Sequence, residues 1–244
     1  MPKHRTTPTT INPVRTGPGE KAKAGRIPPA DAKFPELSTK KRLECRVLLE
    51  DQILLIDNLF SVDECKRFVK FIDELPLELT PPKKRGEAER VNHRISVASP
   101  DFAARLFDVI GPHLPNFPYP ASVATKARAT ARAGDSLNSN IRLYKYTPNQ
   151  HFGPHYDDSV VDPCGSGSRS EWTLLIYLTG VEDGVKGGET IFYLDNKMKK
   201  QVKAPLNRGT ALLHRHGHEC LLHEGSRVES GTKYILRSDV MFVN

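Results

Sequence analysis

The stretch NIRLYKYTPNQHFGPHYDDSV, residues 140–160, joins a strand pattern to a polar turn and a His-x-Asp sequence. Its opening residues alternate apolar side chains with arginine and tyrosine, which is the period of a strand whose two faces differ. One face carries Ile141 and Leu143, and the other carries Arg142, Tyr144 and Tyr146. For a single strand, a polar face in water is the simpler interpretation.

Further short strands follow, separated by glycine, proline and asparagine. They are WTLLIYLT (172–179), GETIFYL (188–194), GTALLHR (209–215), ECLLH (219–223) and TKYILRSDVMFV (232–243). Strands of this length and spacing, after leading helices, predict an antiparallel sandwich or barrel with helices packed outside. Polar faces recur on two of these strands, in the sets Thr173, Leu175, Tyr177 and Lys233, Ile235, Arg237. This repetition favours a barrel with a polar interior site.

The leading part of the chain predicts one strand and two helices. QILLIDNLF (52–60) is a strand-like apolar run, and Ser61 with Glu64 three residues later forms a capping box. The helix that follows ends before Pro76. A second helix begins at SPDFAARLFDVI (99–110), with proline at its first position. The basic, small-residue-rich segment 121–139 fits either a helix or a mobile loop.

Composition predicts a single folded domain with a tail. The chain has 244 residues, 38% of them hydrophobic, which suits one substantial core, and a net charge of +7. Residues 1–42 are basic and rich in proline, and we expect them to be disordered, whereas residues 43–244 form the domain, with core strands at about 140–243. The cysteines show no disulfide spacing, and no apolar run suggests a membrane span or signal peptide. A cytoplasmic or nuclear location is the expectation.

His155 and Asp157 are a candidate pair of metal ligands. Two residues apart on a strand end, they point the same way. Two histidines and one carboxylate on one triangular face leave three open positions, which is how non-haem Fe(II) is held for oxygen chemistry. The candidates for the missing histidine crowd into one segment and are His214, His216, His218 and His223. With Cys220 this cluster could instead be a separate zinc site, although zinc-finger spacing is absent.

His223 differs from the other candidates because of the residues that follow it. Gly225, Ser230 and Gly231 are turn residues, so we expect the chain to reverse and to set Lys233 beside the strand that carries His223. A cation near a metal, in a pocket lined by tyrosines, would bind a small dicarboxylate through charge-assisted hydrogen bonds.

These residues together resemble the 2-oxoglutarate- and Fe(II)-dependent dioxygenases, in particular their prolyl 4-hydroxylase-like branch. The resemblance rests on Tyr146, the His155-Tyr156-Asp157 sequence, IYL (176–178), GGET (187–190) and LHEGSRVESGTKY (222–234). In the family a lysine lies ten positions beyond the distal histidine, as Lys233 does beyond His223. The resemblance covers residues 140–243 well and the leading helices more loosely.

The resemblance implies a double-stranded β-helix, the jelly-roll or cupin-like core, with iron held by His155, Asp157 and His223. It also implies that Lys233 pairs with the distal carboxylate of 2-oxoglutarate, helped by Tyr177 and Tyr146. A second family tyrosine is Phe152 here, so that hydroxyl is missing. Arg237 is a reserve cation for the cosubstrate, or equally an ordinary charge at the sheet end. Arg94 and Arg142 are candidates to reach the substrate pocket.

The implied activity is hydroxylation of a substrate C–H, with Fe(II) as cofactor, 2-oxoglutarate and O2 as cosubstrates, and ascorbate as a further candidate. A prolyl residue of a protein is the first substrate expectation, and a small molecule is the second. Two alternatives remain at this point. One is a non-catalytic jelly-roll module that binds a metal or ligand, and the other is a nucleic-acid or scaffold binder acting through residues 1–42. Nucleic acid is not the expected substrate, because no base-binding pocket is readable.

Overall fold

The computed structural model describes residues 33–119, 131–162 and 167–243. The helices are α1 (Val62–Asp73) and α2 (Pro100–Ile110), with short 3-10 helices at Gly111–His113, Val181–Asp183 and Gly217–Glu219. The strands are β1 (Cys45–Leu49), β2 (Ile53–Ile56), β3 (Glu78–Leu79), β4 (Arg90–Val91), β5 (His93–Ala98), β6 (Phe117–Pro118), β7 (Ala131–Arg132), β8 (Ser136–Leu137), β9 (Asn140–Tyr146), β10 (His151–His155), β11 (Arg169–Tyr177), β12 (Lys186–Gly187), β13 (Thr190–Tyr193), β14 (Gln201–Lys203), β15 (Ala211–Arg215), β16 (Leu222–Gly225), β17 (Val228–Ser230) and β18 (Lys233–Phe242).

Two antiparallel sheets dominate the described part of the chain. The larger sheet has the strand order β1-β2-β15-β11-β18-β9-β5-β3, with β8 added beside β18. The smaller sheet has the order β14-β13-β16-β10-β4. Most neighbours in the two sheets come from distant parts of the sequence, as in the crossed connections of a jelly roll. The fold is the predicted double-stranded β-helix with flanking helices.

The alternation predicted for the strands is confirmed by the two hydrophobic clusters that they separate. Ile141 and Leu143 of β9 lie in a cluster with the helices, whereas Tyr144 and Tyr146 lie in a second cluster between the sheets. Strand β18 divides in the same way, since Leu236 faces the helices. A strand with period-2 alternation can serve two cores in this manner. The larger sheet is therefore covered by helices on one face and presents its polar residues to the smaller sheet.

The two helices begin where the sequence predicts. The Ser61 hydroxyl accepts a hydrogen bond from the Glu64 amide at 3.2 Å, and the Glu64 carboxylate accepts one from the Ser61 amide at 2.7 Å, which completes the capping box. Helix α2 has Ser99 as its N-cap and Pro100 in its first turn. Phe68 and Phe102 are fully buried against the larger sheet, so packing of apolar faces holds both helices in place.

The folded part of the chain begins earlier than residue 43. Phe34 is only 5% exposed, and its ring stacks on Phe102 with centroids 4.1 Å apart. The Ser38 amide and the Lys40 ammonium both donate to the Glu64 carboxylate, at 2.7 and 2.5 Å. The predicted boundary at residue 42 is therefore wrong, because one aromatic residue and a buried carboxylate anchor residues 34–40 to the helices. Residues 1–32 lie outside the described residues, and their assignment as a disordered tail stays a prediction.

Segment 121–139 was predicted as a helix or a mobile loop, and residues 121–130 lie outside the described residues. Its remainder forms β7 and β8, which pair with β6 and β18. A small residue is needed there, since a Cβ on Gly134 would approach the Val240 side chain to 2.5 Å. No helix within the described ranges is both long enough and apolar enough to cross a membrane.

Candidate active site

A pocket opens between the two sheets and receives side chains from both. The larger sheet contributes residues of β9, β11, β15 and β18, and the smaller sheet contributes residues of β10, β13 and β16. The pocket-lining residues are Tyr144, Tyr146, Phe152, His155, Asp157, Leu175, Thr190, His214, His223, Gly225, Lys233, Ile235 and Arg237.

Pairing of β10 with β16 brings the first and last candidate metal ligands together. His155 lies directly opposite His223 in this ladder, and their ring centroids are 4.3 Å apart. Asp157 follows β10 by two residues and is 6% exposed. One ligand atom of each of these residues lies within 4.8 Å of those of the others. His223 lies 68 positions after His155 and 66 after Asp157 in the sequence, and the fold brings the three side chains to one point.

The two histidines are oriented as metal ligands normally are. Nδ1 of His155 lies 2.9 Å from the Gly153 carbonyl oxygen, and Nδ1 of His223 lies 2.9 Å from the Leu221 carbonyl oxygen. A proton on each Nδ1 satisfies these contacts and makes Nε2 the ligating nitrogen of each ring. Both Nε2 atoms lie 3.7 Å from an oxygen of Asp157. This donor set fits Fe(II) held on one triangular face.

Asp157 is a buried carboxylate whose charge is compensated. Burial would raise its pKa, but the Arg237 guanidinium and the His223 imidazole hold the pKa well below its ordinary value. Thr173 donates a hydrogen bond to Oδ2 at 2.9 Å, and Arg237 Nη1 donates to Oδ1 at 3.1 Å. The carboxylate is therefore ionised and fixed in orientation before any ligand arrives.

The two histidines of the triad differ in proton affinity. Burial lowers the pKa of His155 well below its ordinary value, assisted by the nearby His223. Burial also opposes the charged form of His223, but the adjacent Asp157 carboxylate and Cys220 raise the pKa of His223 to about 10. Because a metal ligand must be unprotonated, binding of an ion here displaces a proton from the His223–Asp157 pair.

Lys233 lies in the same pocket and is 2% exposed. It begins β18, which pairs with β9 and β11 in the larger sheet, and its Cα partner is Tyr146. The expectation that β18 would lie beside the strand carrying His223 is wrong, because the chain crosses to the opposite sheet after β17. Lys233 therefore approaches the His223 side of the pocket from the facing layer.

The surroundings of Lys233 are poor in negative charge. Its ammonium donates to the Gly188 carbonyl and lies 5.5 Å and 5.6 Å from the ring centroids of Tyr146 and Tyr177. Burial lowers the pKa of Lys233 to about 7, and the charge of Glu189 only partly opposes this effect. A ligand carboxylate would supply the missing counter-charge.

Tyr177 and the GGET segment complete the lysine's surroundings. The Tyr177 hydroxyl lies 2.7 Å from the Thr190 hydroxyl, which lines the pocket. Gly188 has φ +77°, a conformation that glycine adopts without a steric penalty, and this backbone directs its carbonyl to Lys233. The fold thus places the IYL segment (176–178) and the GGET segment (187–190) around the ammonium group of Lys233.

Phe152 and the arginines border the pocket. The Phe152 ring stacks on the His155 ring with centroids 3.5 Å apart, and the Arg90 guanidinium lies 3.5 Å from the Phe152 centroid. Arg142 lies 3.6 Å from Asp239, and Arg94 pairs with Tyr144 in the β5–β9 ladder. Burial raises the pKa of Tyr144, but these cations with Arg237 reverse the shift and lower it. The field on this side of the pocket is positive.

Arg237 lines the pocket, but its guanidinium is already paired. It contacts Asp157 at 3.1 Å and Asp239 at 3.3 Å. Its predicted contact with the cosubstrate stays a prediction, as do the assigned roles of Tyr146, Tyr177 and Lys233. The structure also shows Arg237 in an ion pair with Asp157, a contact that the sequence did not indicate.

The remaining histidines of the candidate cluster have separate surroundings. His218 is exposed. His216 is buried with both ring nitrogens engaged, at 2.9 Å from Thr173 Oγ1 and 2.9 Å from Ser170 Oγ. His214 is buried, lines the pocket, and its Nε2 has no hydrogen-bond partner.

Thr190 lines the pocket and Thr173 donates to Asp157, and the sequence gave no role to either side chain. Thr173 shared the predicted face of Leu175 and Tyr177, and that alternation was the signal that could have marked it. Thr190 lies in the GGET segment that carries the resemblance. A short polar side chain on an otherwise apolar inward face is the general indicator in both cases.

Residues 141–238 match the model of the 2OG-Fe(II) oxygenase superfamily. The matched range contains every residue of the triad and Lys233. No curated protein sequence matches this chain.

Solved structures share the fold at low identity. The structure described as OsALKBH1 has a TM-score of 0.53 at 13% identity, covering 79% of this chain and 99% of that one. A prolyl hydroxylase from Trichoplax adhaerens, in complex with a hypoxia inducible factor peptide fragment, has a TM-score of 0.51 at 12% identity, covering 78% and 84%. A viral collagen prolyl hydroxylase from Paramecium Bursaria Chlorella virus-1 has a TM-score of 0.49 at 22% identity, covering 79% and 97%. Over residues 141–238, the chain is similar to the 2OG-Fe(II) oxygenase superfamily.

Proposed function

We propose that this protein is a 2-oxoglutarate- and Fe(II)-dependent dioxygenase that hydroxylates a C–H bond of its substrate. The observation that carries the proposal is the convergence of His155, Asp157 and His223 in one pocket with the buried amino group of Lys233. An oxygenase needs a metal triad and a site for a dicarboxylate, and this pocket offers both.

The triad residues would hold Fe(II) and leave room for other ligands. His155 and His223 supply Nε2 lone pairs from opposite positions of one strand pair, and Asp157 supplies a charge that Arg237 keeps ionised. Bound Fe(II) supplies the redox chemistry that couples O2 to decarboxylation of 2-oxoglutarate and to substrate hydroxylation. The protein's part is to fix the three donors and to exclude water.

Lys233 would bind the distal carboxylate of 2-oxoglutarate. Its ammonium is buried, so an ion pair with a carboxylate there is stronger than one at the surface. Tyr146 and Tyr177 flank the ammonium and limit where the carboxylate can lie. The reacting end of the cosubstrate would then lie toward the triad across the same pocket.

For the substrate we propose a prolyl residue of a protein, on the strength of the motif resemblance to the prolyl 4-hydroxylase-like branch. The positive field from Arg90, Arg94 and Arg142 near Tyr144 favours acidic residues close to the modified position. A small anionic molecule is the second candidate for the same reason. Ascorbate would serve as an accessory reductant.

The non-catalytic jelly-roll module is the less favoured alternative. A module that has lost catalysis is expected to lack a ligand of the triad, yet each position is filled and oriented.

For the location we propose a reducing compartment such as the cytoplasm or nucleus. The thiols Cys45, Cys65 and Cys220 are free, which supports this location.

Succinate release tests the proposal. Purified protein with Fe(II), 2-oxoglutarate, O2 and ascorbate is expected to produce succinate, and His155→Ala or Asp157→Ala should abolish Fe(II)-dependent release. Mass spectrometry of cell-extract proteins after the same incubation should then show a product heavier by one oxygen atom on proline. Full turnover in both variants, or wild-type protein that binds Fe(II) and 2-oxoglutarate without any succinate, would reject the enzymatic role.

A further inference from the structure

A second set of donors meets the triad at His223. His214, Cys220 and His223 are all buried, and one ligand atom of each lies within 4.8 Å of those of the others. The Cys220 sulfur is 3.8 Å from Nδ1 of His223, and the ring centroids of His214 and His223 are 4.5 Å apart. This set differs in chemistry from the iron triad, because a thiolate replaces the carboxylate.

His214 independently indicates that a ligand binds here. It is 1% exposed, yet its Nε2 has no hydrogen-bond partner. Its Nδ1 lies 3.3 Å from the Arg215 carbonyl oxygen, so its tautomer matches that of His155 and His223, with the Nε2 lone pair free. A buried polar atom without a partner costs about 1–3 kcal/mol. An ion bound at Nε2 would remove that cost.

We propose that His214, Cys220 and His223 form a second metal site that takes a soft divalent ion such as Zn²⁺. Two imidazoles and one thiolate suit zinc, which also accepts a carboxylate oxygen as a ligand. A fourth donor is close, since Asp157 Oδ2 lies 3.6 Å from His214 Nε2 and 3.7 Å from His223 Nε2. His216 and His218 take no part.

The two sites exclude one another because the Leu221 carbonyl engages Nδ1 of His223 and leaves Nε2 as the one nitrogen that either ion can use. An ion held by Cys220 withdraws that imidazole from the triad, so one chain holds a soft ion or the oxygenase iron and not both. The thiol releases its proton to solvent as the sulfur–metal bond forms, with no change of oxidation state. Zinc inhibition through this exclusion rests on the proposed function, whereas the existence of the site does not.

Cobalt(II) absorption tests the site without any turnover. Thiolate bound to Co²⁺ gives a near-ultraviolet charge-transfer band, which a triad of two histidines and one aspartate cannot give. We expect this band in the metal-free protein titrated with Co²⁺, and a stronger band in His155→Ala, which damages only the triad. Cys220→Ser and His214→Phe should lose the band. Cys65→Ser, which changes a buried thiol in α1, should keep it.

Each outcome decides the proposal. A band in His155→Ala alone supports the site and ranks it below the triad for cobalt. Absence of the band in both wild type and His155→Ala overturns the proposal, as does a band that survives Cys220→Ser while circular dichroism shows a folded protein. A titration that ends at two Co²⁺ per chain would refute the sharing of His223. Failure of succinate release leaves this spectroscopic result unaffected, so the two proposals fail separately.

Discussion

The guanidinium of Arg237 contacts the carboxylate of Asp157 through two nitrogens. Nη1 lies 3.1 Å from Oδ1, and Nη2 lies 3.1 Å from Oδ2. Both side chains are almost fully buried, and burial opposes the ionised form of each. The pair therefore keeps a metal ligand charged inside the protein in the absence of the metal, at the cost of making each partner depend on the other.

Arg237→Gln should destabilise the metal-free protein far more than the metal-bound protein. Without the guanidinium, Asp157 is a buried charge with reduced compensation, and breaking such a pair costs about 3–5 kcal/mol. A bound divalent ion restores positive charge beside Asp157, so the loss should shrink. Urea denaturation with EDTA and with Ni²⁺ measures the free energy of unfolding in each state.

Arg46→Gln is the matched control for that experiment. Arg46 also pairs with an aspartate, Asp57, at 2.6 Å, but both side chains are more than a third exposed. Its loss should cost about 0–1 kcal/mol with or without Ni²⁺. If Arg237→Gln costs the same in EDTA and in Ni²⁺, Arg237 has a packing role and does not compensate Asp157.

Lys233→Ala should weaken binding of 2-oxoglutarate and leave the metal site loaded. Loss of a charge-assisted hydrogen bond costs about 1.5–3 kcal/mol, or roughly ten-fold to more than one hundred-fold in Kd. Calorimetric titration of 2-oxoglutarate into the Ni²⁺-loaded protein measures this change, and metal analysis checks the loading. Unchanged affinity would remove Lys233 from the cosubstrate site.

The affinity for 2-oxoglutarate should fall as pH rises above about 7. Burial lowers the pKa of Lys233 to about 7, so above that pH the free protein holds a neutral amine. The dicarboxylate binds the charged form, and the protein must therefore take up a proton. Each pH unit then costs up to about 1.4 kcal/mol, or ten-fold in Kd. Below pH 7 the lysine is already charged and this dependence ends.

Lys233→Arg separates that titration from other sources of pH dependence. A guanidinium remains charged throughout this range, so the variant should bind with a flat profile between pH 7 and pH 9 even if its affinity is lower. A slope that persists in the variant would mean that another group, such as the His223–Asp157 pair, controls binding.

The sequence alone was sufficient for the two-faced strands, and it named as candidate ligands three residues that the fold brings together. Period-2 alternation in β9 and β18 assigns Tyr144 and Lys233 to the inner face without any knowledge of pairing. Strand order was beyond reach, because alternation does not say which strand is the neighbour. For this reason Lys233 was expected beside β16, when in fact it faces His223 from the opposite sheet.

The sequence also did not predict contacts that one side chain makes with residues far away in the chain. The composition of residues 1–42 predicts disorder, and one phenylalanine hardly alters a composition. In the folded protein, however, Phe34 fills a site between aromatic rings of both helices. In the same way, the pairing of Arg237 with Asp157 requires a three-dimensional distance, although both residues were already on the inner face.

Gly188→Ala should impair cosubstrate binding beyond its effect on stability. Gly188 has φ +77°, and a Cβ there would lie 3.1 Å from Val228 Cγ2 and 3.2 Å from Lys233 Cδ. We expect a loss of about 1–2 kcal/mol in unfolding free energy from the backbone strain. Displacement of the lysine should in addition weaken 2-oxoglutarate binding several-fold in calorimetry.

Gly184→Ala supplies the control for that substitution. Gly184 also has φ +77°, but a Cβ there meets no atom within 4 Å. It should therefore lose similar stability and keep wild-type affinity for 2-oxoglutarate. Equal affinities in the two alanine variants would show that Lys233 adjusts to the added methyl group.

Glu64→Gln should release residues 34–40 from helix α1 and destabilise the protein by about 2 kcal/mol, since hydrogen bonds to a charged group are lost. The buried carboxylate accepts hydrogen bonds from the Ser38 and Ser61 amides and from Lys40.

The stabilisation by Glu64 should depend on pH. Burial alone would raise its pKa, but these donors lower the pKa of Glu64 to about 2. A carboxyl group whose pKa is lower in the folded state stabilises the protein above its unfolded pKa, and that stability is lost as pH falls through the folded pKa. The difference between wild type and Glu64→Gln in urea denaturation should therefore be constant near neutral pH and should shrink below about pH 4. A difference that does not change between pH 7 and pH 3 would show that the carboxylate charge contributes nothing to this anchor.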